Sequence, residues 1–468
     1  MAMEDNHSPS TQSRAWLWVI LGLGIFIVLL LGVFSLVYFH DNSPPNDADL
    51  RVRDAVVPAE QNGLVQLRKL PGGLDFGYYA ESQGVDEVEA TKILNGASTN
   101  DQVVDKFLAQ AQPNLEQLDA VLQLPYFSDN DVSSPTTRLP EIGLGISYAK
   151  ALRLSASRHQ ALGDYTAAVQ DAARIHLLAR RLVEGHKSLL QVLTAVAIDG
   201  IGRMAAQKLL DDSALPAASS AALAQEYSRE ISWTGGLQRS LNYEYLLLLN
   251  YLNMIKTGRT TPATLLGTTS TGIPFMNLSI RENETKQAAV DYYRDLRQAL
   301  NKPYSVSNGM AFANIKNYIG DNKEVKYWLR PNLAGRSMLG VLIPNIDSIA
   351  VTMYTATAVD RLLQTECTLR LYFDDHHALP PTLNDLVPAY LPDVPLDPFN
   401  GKPLRYDAAR GIIYSVGTSL KDLGGSSRIT TSPHGSGDED PLNDRSQPTL
   451  QLEFQNPPVM KTPTVTTH

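Results

Sequence analysis

Cysteine is all but missing. Cys367 is the only one in 468 residues, so no intrachain disulfide can form. The shortage also removes thiolate zinc sites, which need two or more cysteines on one ion. Cys367 itself falls in the helical apolar period Leu362, Leu363, Cys367, Leu371, where a buried and inert thiol is expected rather than a nucleophile. Basic clusters are equally scarce. The formal net charge is −9, and groupings such as Arg68-Lys69 and Arg180-Arg181 are too sparse for the basic face that phosphate backbones require, so no nucleic-acid partner is expected. A glycine-rich phosphate loop is missing too, because Gly143-Leu144-Gly145 lacks both a third glycine and a preceding strand. The rest of the composition is ordinary, 43% hydrophobic and 19% charged, which excludes wholesale disorder and leaves room for two or three domains.

Long hydrophobic runs are rare, and the one present is decisive. Residues 15–39, AWLWVILGLGIFIVLLLGVFSLVYF, carry no charge. At 1.5 Å per residue they cover a hydrocarbon core of roughly 30 Å with some tilt to spare. Trp16 and Trp18 stand at one end, Tyr38 and Phe39 at the other, where aromatic rings favour the headgroup layer. A cleaved signal peptide has an apolar core of only about 7–15 residues followed by a small-x-small site. No such site follows here, so an uncleaved transmembrane helix is expected. Arg14 beside the run favours a cytoplasmic tail at 1–14 and a soluble part on the periplasmic side of a bacterial inner membrane, although Arg51 and Arg53 weigh the other way when a wider window is counted. Gly22, Gly24 and Gly32 form no G-x-x-x-G pair to mark a dimer face.

The soluble part is expected to be mainly α with a small α+β module at its C-terminal end. Residues 40–60 form a proline-containing linker, and from 61 to about 335 the helical period dominates. Short helices are predicted over 86–95, 101–111 and 115–122. Longer ones cover 146–161 and 165–184, then 189–210 and 217–232. Residues 163–168, Gly-Asp-Tyr-Thr-Ala-Ala, resemble the turn joining paired helices in tetratricopeptide repeats. No second copy follows at a spacing of about 34 residues, so a single helical hairpin is implied, not a solenoid. A further helix pair is expected within 235–301, and the sequons at Asn277 and Asn283 carry no function. Residues 346–373 read as a long helix that Pro380-Pro381 stops, with β-like runs at 404–406 and 412–416. The end, 426–468, is read as a disordered tail.

Residues 362–425 resemble the C-terminal half of the major pseudopilin of type II secretion systems. The likeness is carried by Leu371-Tyr372-Phe373-Asp374, by Leu379-Pro380-Pro381-Thr382-Leu383, and by the turn Val394-Pro395-Leu396-Asp397-Pro398-Phe399-Asn400-Gly401-Lys402-Pro403. Tyr406 and then Tyr414-Ser415-Val416-Gly417 complete it. The resemblance implies a long helix packed on a short antiparallel sheet over 345–425, and a calcium ion in the following loop, for which Asp422, Asp438 and Asp440 are the oxygen donors available. The departures are plain. A pseudopilin begins with a glycine cleavage site, a phenylalanine and a glutamate five residues in, and none of these stands around Ala15. Its membrane helix also runs straight into the long helix, whereas here a helical domain intervenes, so assembly by that family's route is not expected. The layout as a whole is similar to a class of membrane-anchored envelope proteins of planctomycete-type bacteria, a resemblance that implies a location and no activity.

Patterns that carry chemistry are few. Ser147-Tyr148-Ala149-Lys150 is an S-x-x-K, followed by Ser240-Leu241-Asn242 and Lys256-Thr257-Gly258 in the order of penicillin-recognising serine enzymes. In those enzymes the lysine activates the serine from one helical turn away and K-T-G lies on a strand. Asp374-Asp375-His376-His377 is the densest set of metal-ligand types, but adjacent residues in one turn rarely converge on one ion. His159, His176 and His186 lack i, i+4 partners and read as surface or capped helix histidines, and Asp211-Asp212 as a solvated helix end. The expected function is therefore structural: a membrane-anchored extracytoplasmic protein, bound to the bilayer through 15–39 and to envelope proteins, linked to a secretion or pilus-like assembly, with no cofactor other than the calcium named above. The alternative is a membrane-tethered envelope hydrolase using Ser147 and Lys150.

Overall fold

The computed structural model describes residues 11–51, 57–129, 138–185, 187–261, 264, 280–307, 310–321, 330–425 and 447–455. In chain order the helices are α1 Thr11–Phe39, α2 Gly63–Leu67, α3 Phe76–Ser82, α4 Glu87–Leu94, α5 Asp101–Leu122, α6 Pro140–Ala161, α7 Tyr165–Val183, α8 Leu189–Leu210, α9 Ala217–Tyr227, α10 Trp233–Lys256, α11 Glu282–Ala299, α12 Tyr304–Ser307, α13 Met310–Ile319 and α14 Leu333–His376. The strands are β1 Arg405–Asp407, β2 Ile412–Tyr414 and β3 Thr449–Gln451. The protein is thus mostly helical with one small antiparallel sheet, as its sequence pattern implies. The chain divides into two units. One comprises Met1–Asp47, Tyr251–Tyr292 and Ala313–Pro344; the other comprises Ala48–Asn250, Tyr293–Phe312 and Asn345–His468.

In the first unit, α1 has a mean hydropathy of 2.9 over Trp18–Val37, and none of that stretch is buried in the protein. It is long and apolar enough to cross a membrane, a test that a signal sequence also passes. The remainder of this unit is organised by Asn332, fully buried and held at φ 56°. Its amide accepts from the Arg281 backbone N–H at 2.8 Å and donates to Thr285 Oγ1 at 2.9 Å and Tyr318 Oη at 2.8 Å. Asp41 caps the start of α11 by accepting from the backbone N–H groups of Asn283 (2.8 Å) and Glu284 (3.0 Å), a favourable place for a carboxylate at a helix N-terminus.

The second unit is built on α6, α7 and α8, which pack side by side, with α5 against α6 and α9 against α7. α8 also passes the length and hydropathy test for a membrane span, but 61% of it is buried in the protein. Its apolar residues point all round the helix (Val192, Ala195, Ile198, Ala205, Leu209), which is the pattern of a core helix surrounded by others. Full burial of a side chain such as Ile198 contributes about 1.5–3 kcal/mol. The α6–α7 turn confirms the helical hairpin. Gly163 sits at φ 78°, and Asp164 accepts from the Ala167 N–H at 3.0 Å.

Several boundaries differ from the sequence reading. α5 is one helix across Pro113, because Phe107, Ala111, Leu115, Leu118 and Leu122 keep one buried face on both sides of it. α14 starts at Leu333 and continues across Pro344, well before position 346. Beyond residue 345 its two sides serve two cores. Leu363 and Cys367 pack with Ala206, Leu209 and Tyr227 of α8 and α9, and the buried thiol matches expectation. Leu362 and Leu369 pack with Leu386, Leu404, Ile413 and Leu450 of the C-terminal module. The sheet runs β1-β2-β3, with Tyr406 opposite Ile413 and Ile413 opposite Leu450. β3 lies inside 426–468, so that segment is not a disordered tail throughout. Leu450, Leu452 and Phe454 insert alternate side chains into the module core.

Lys187 is fully buried where α7 turns into α8. Its ammonium nitrogen hydrogen-bonds the carbonyl oxygens of Phe127 and Glu184, tying the loop after α5 to the α7–α8 connection. Gly185 beside it sits at φ 73°, and a Cβ there would stand 2.5 Å from the Phe127 carbonyl oxygen. Burial pushes the lysine down to about 7 from its usual value near 10.5. The native state therefore sheds a proton that the unfolded chain keeps between those two values. Stability is expected to rise with pH across that window and to be lost as pH falls toward 7. Lys187→Met should remove up to one proton of linkage, about 1.4 kcal/mol per pH unit, from the slope of unfolding free energy measured by denaturant titration between about pH 7 and 10.

Candidate functional site

A cleft of about 350 Å³ opens in the second unit. One wall is the loop Glu230, Ile231, Ser232 leading into Trp233 and Thr234 at the start of α10. A second is Leu300, Asn301, Lys302 and Pro303 after α11. The floor is Tyr354, Thr357 and Arg361 of α14, and the last wall is the proline turn at Leu396, Pro398 and Gly401. The turn is fixed from both sides. Backbone N–H groups of Tyr304 and Ser305 donate to the Pro398 and Phe399 carbonyls at 3.0 and 2.7 Å. Gly401, at φ 72°, lies so close to Pro303 that a Cβ would come within 2.9 Å of its ring. The Asp397 carboxylate, 1% exposed, accepts from Phe399 N (3.0 Å), Ser415 Oγ (2.9 Å) and Val416 N (2.8 Å), so it organises the turn and has no free oxygen to offer a ligand.

Beneath the cleft, Tyr304, Tyr354 and Phe399 form an aromatic cluster with centroids 5.4–6.1 Å apart, Tyr304 meeting each of the other two edge to face. Tyr354 Oη donates to the Lys302 carbonyl at 2.9 Å. Arg361 crosses the rim, donating to Glu230 Oε1 (2.9 Å) and to the Leu396 carbonyl (2.7 Å), while Leu396 leaves an exposed apolar side chain there. The mixture of arginine, lysine, hydroxyl and apolar groups suits a polypeptide segment. Thr357 donates to the Met353 carbonyl of its own helix at 2.9 Å.

Trp233 is the link between this cleft and the centre of the unit. Its indole N–H donates to Asp360 Oδ2 at 2.6 Å, and both residues are buried. Asp360 Oδ1 accepts from Arg203 at 2.9 Å; Arg203 also pairs with Asp199 one turn earlier on α8; and Asp199 faces His176 Nδ1 at 2.9 Å. His176 Nε2 lies 3.3 Å from the Arg229 carbonyl, with the Tyr227 ring 4.5 Å from its own. Burial works against the imidazolium, but Asp199, Asp360 and the Arg229 carbonyl outweigh it and raise the histidine above its usual value. Burial likewise disfavours Asp199 as a carboxylate, yet Arg203 and His176 hold it below the ordinary range. Asp360, buried and facing Asp199, is pushed up to about 8. His176 is therefore neither a surface nor a capping histidine. Sequence reasoning missed this network, although Asp199 and Arg203 at i, i+4 on an otherwise apolar helix are a readable sign of it.

The other candidates are placed as follows. Ser147 is half-buried and Lys150 exposed on α6. Ser240 is buried on α10 and donates to the Leu237 carbonyl, while Lys256 at the far end of the same helix pairs with Glu282 at 3.4 Å. Sixteen residues of helix separate those two by about 24 Å, and the K-T-G ends a helix instead of lining a strand, so the triplets do not converge. Asp374 pairs with Arg370, Asp375 accepts from Tyr390, and His376 stacks on Tyr372 at 4.0 Å. His377, at φ 55°, ends α14. Asp374, Asp375 and His376 thus have separate partners, and no group of three metal-ligating side chains is arranged around one point among the described residues. Asp422 accepts from Tyr414 Oη (2.9 Å), Arg405 Nε (3.0 Å) and Gly424 N (3.0 Å). Asp438, Asp440 and His186 lie outside the described residues. Asp211 is not a solvated helix end, since one of its oxygens is buried without a partner.

No family model, no curated protein and no solved structure matches the chain.

Asp360→Ala should cost about 3–5 kcal/mol in denaturant unfolding, because it leaves the Trp233 N–H without its acceptor in the core and Arg203 with Asp199 alone. Asp105→Ala, which removes an exposed partner of Arg158, should cost under about 1 kcal/mol in the same assay. A fluorophosphonate serine probe should leave the full-length protein unlabelled; labelling that disappears in Ser147→Ala would restore the hydrolase reading.

Proposed function

We propose that the chain is a membrane-anchored, extracytoplasmic, non-catalytic protein that holds a partner polypeptide of the envelope in the cleft between Trp233 and the proline turn. The single observation that carries this reading is a shaped cleft whose lining mixes charged, hydroxyl and apolar side chains, as a polypeptide segment requires. The unburied apolar helix α1 supports attachment to the bilayer. The resemblance of the C-terminal module to a major pseudopilin favours a partner within a secretion or pilus-like assembly, and the long helix with its short sheet is consistent with that likeness. A bacterial inner membrane and a periplasmic soluble part accord with Arg14 beside the helix.

Two measurements test this. Washing native membranes in alkaline carbonate should leave the chain in the membrane pellet at its full length of 468 residues; release of a shortened chain would identify the helix as a cleaved signal. Tagged protein purified from native membranes should bring down secretion or pilus-like components, and Thr357→Trp, which fills the cleft floor, should lose them. Equal recovery with Thr357→Trp would remove the cleft from the account.

A further inference from the structure

Away from the cleft, a second set of charged groups is buried where α8 ends, α14 passes and the C-terminal segment returns. Glu366 of α14 is fully buried, and neither of its carboxyl oxygens has a hydrogen-bond partner. Asp211, at the C-terminal end of α8, buries one oxygen in the same unpartnered state, and so does Asp374. Glu453, in the turn after β3, stands next to both Asp211 and Glu366, and its backbone hydrogen-bonds the Asp211 carboxylate.

The cation nearest to them is already committed. Arg370 donates to Asp374 Oδ1 at 2.9 Å and to the carbonyls of Leu210 (2.7 Å), Asp212 (3.1 Å) and Leu215 (3.3 Å), and its guanidinium lies 5.4 Å from the centre of the Phe454 ring. Asp212, the other acid here, is occupied by Gln160 and Tyr165, each at 2.9 Å. Cys367, beside Glu366, is a buried neutral thiol facing Tyr227 of α9. Glu366 and the buried oxygen of Asp211 thus share a water-poor space, with the partly exposed Glu453 at its edge and with Arg370 paired to Asp374. Burying one unpaired carboxylate costs several kcal/mol, and a second beside it costs more.

We propose that residues 447–455 are held on the domain by a proton-linked clasp, in which Glu366 and Asp211 dock the segment as neutral carboxylic acids and release it when they ionise. The segment is otherwise held by a three-residue edge strand, by the side chains of Leu450, Leu452 and Phe454, and by hydrogen bonds from Gln447 and Gln451 to the Lys421 and Arg410 carbonyls. A buried charge beside it therefore competes with a limited set of contacts. Ionisation would set Glu366 and Asp211 against Glu453 on the segment itself. Burial and the neighbouring acids push Asp211 up to about 7 and raise Glu366 well above the carboxylate range. For an acid raised in this way, docking strength is complete below the free value and is lost as pH climbs through the docked one.

Hydrogen–deuterium exchange of the detergent-solubilised full chain, corrected for the intrinsic pH dependence of exchange, tests this in peptides covering 447–455. From about pH 5.5 to about pH 8.5 the wild-type segment should lose protection by about tenfold or more, while α7 peptides stay protected. Glu366→Gln, a neutral isostere, should keep the segment protected at both ends of the range, and Asp211→Asn should do so at least in part. Wild-type protection that does not change with pH would overturn the proposal. So would an undiminished loss in both variants, or a parallel loss in α7.

Discussion

The second unit depends on the pairing of Arg203 with Asp199 and Asp360. Arg203 and Asp199 belong to α8, Asp360 to α14, and the two helices are joined here across 157 positions of sequence. Trp233 brings α10 to the same aspartate across 127 positions, and His176 brings α7 to Asp199. Four helices therefore meet at buried charged groups. Such groups stabilise a fold only when every partner is in place, since each one left alone pays its full desolvation cost. The consequence is register. A one-turn slip of α14 along α8 would take Asp360 away from Arg203 and from the Trp233 indole together.

That fixed register gives α14 its role as a shared spine. Leu363 and Cys367 close the core over α8 and α9, and Leu362 and Leu369 close the core of the C-terminal module on the other side. The cleft follows from the same placement. Of its floor residues, Thr357 and Tyr354 are about one and two turns before Asp360 on the helix and Arg361 directly follows it, and its wall begins at Trp233, the residue that Asp360 holds. Asp397 and Gly401 then bring the proline turn against Pro303 to complete it. The result is a cleft of mixed polar and apolar lining at the edge of that core.

Much of this was legible in the sequence, and the gaps have physical causes. The apolar helix α1, the α6–α7 hairpin at Gly163-Asp164, the bounds of α8 and the turn at Gly401 follow from local periodicity and backbone chemistry, which need only neighbouring residues. Pro113 misled because a helix break is its local meaning, whereas the apolar stripe from Phe107 to Leu122 overrides it. β3 was hidden by the polar composition around it, although Leu450, Leu452 and Phe454 alternate as a half-buried strand should. The charged network was the least readable. His176, Asp199, Trp233 and Asp360 are scattered over the chain, and only tertiary packing shows that they are partners. The same holds for Asp211 and Glu366, since a helix-end acid is solvated unless another element covers it.

The central claim is that Arg203 and Asp360 act as one unit in holding α8 to α14. A double-mutant cycle on the full chain in denaturant measures this most directly, with Arg203→Met, Asp360→Leu and the two combined. Each single change should be severe, and the combined change should cost less than their sum by about 1.5–3 kcal/mol, because the double variant leaves neither group stranded. Costs that add within about 0.5 kcal/mol would show that the two residues act independently, and would contradict the account.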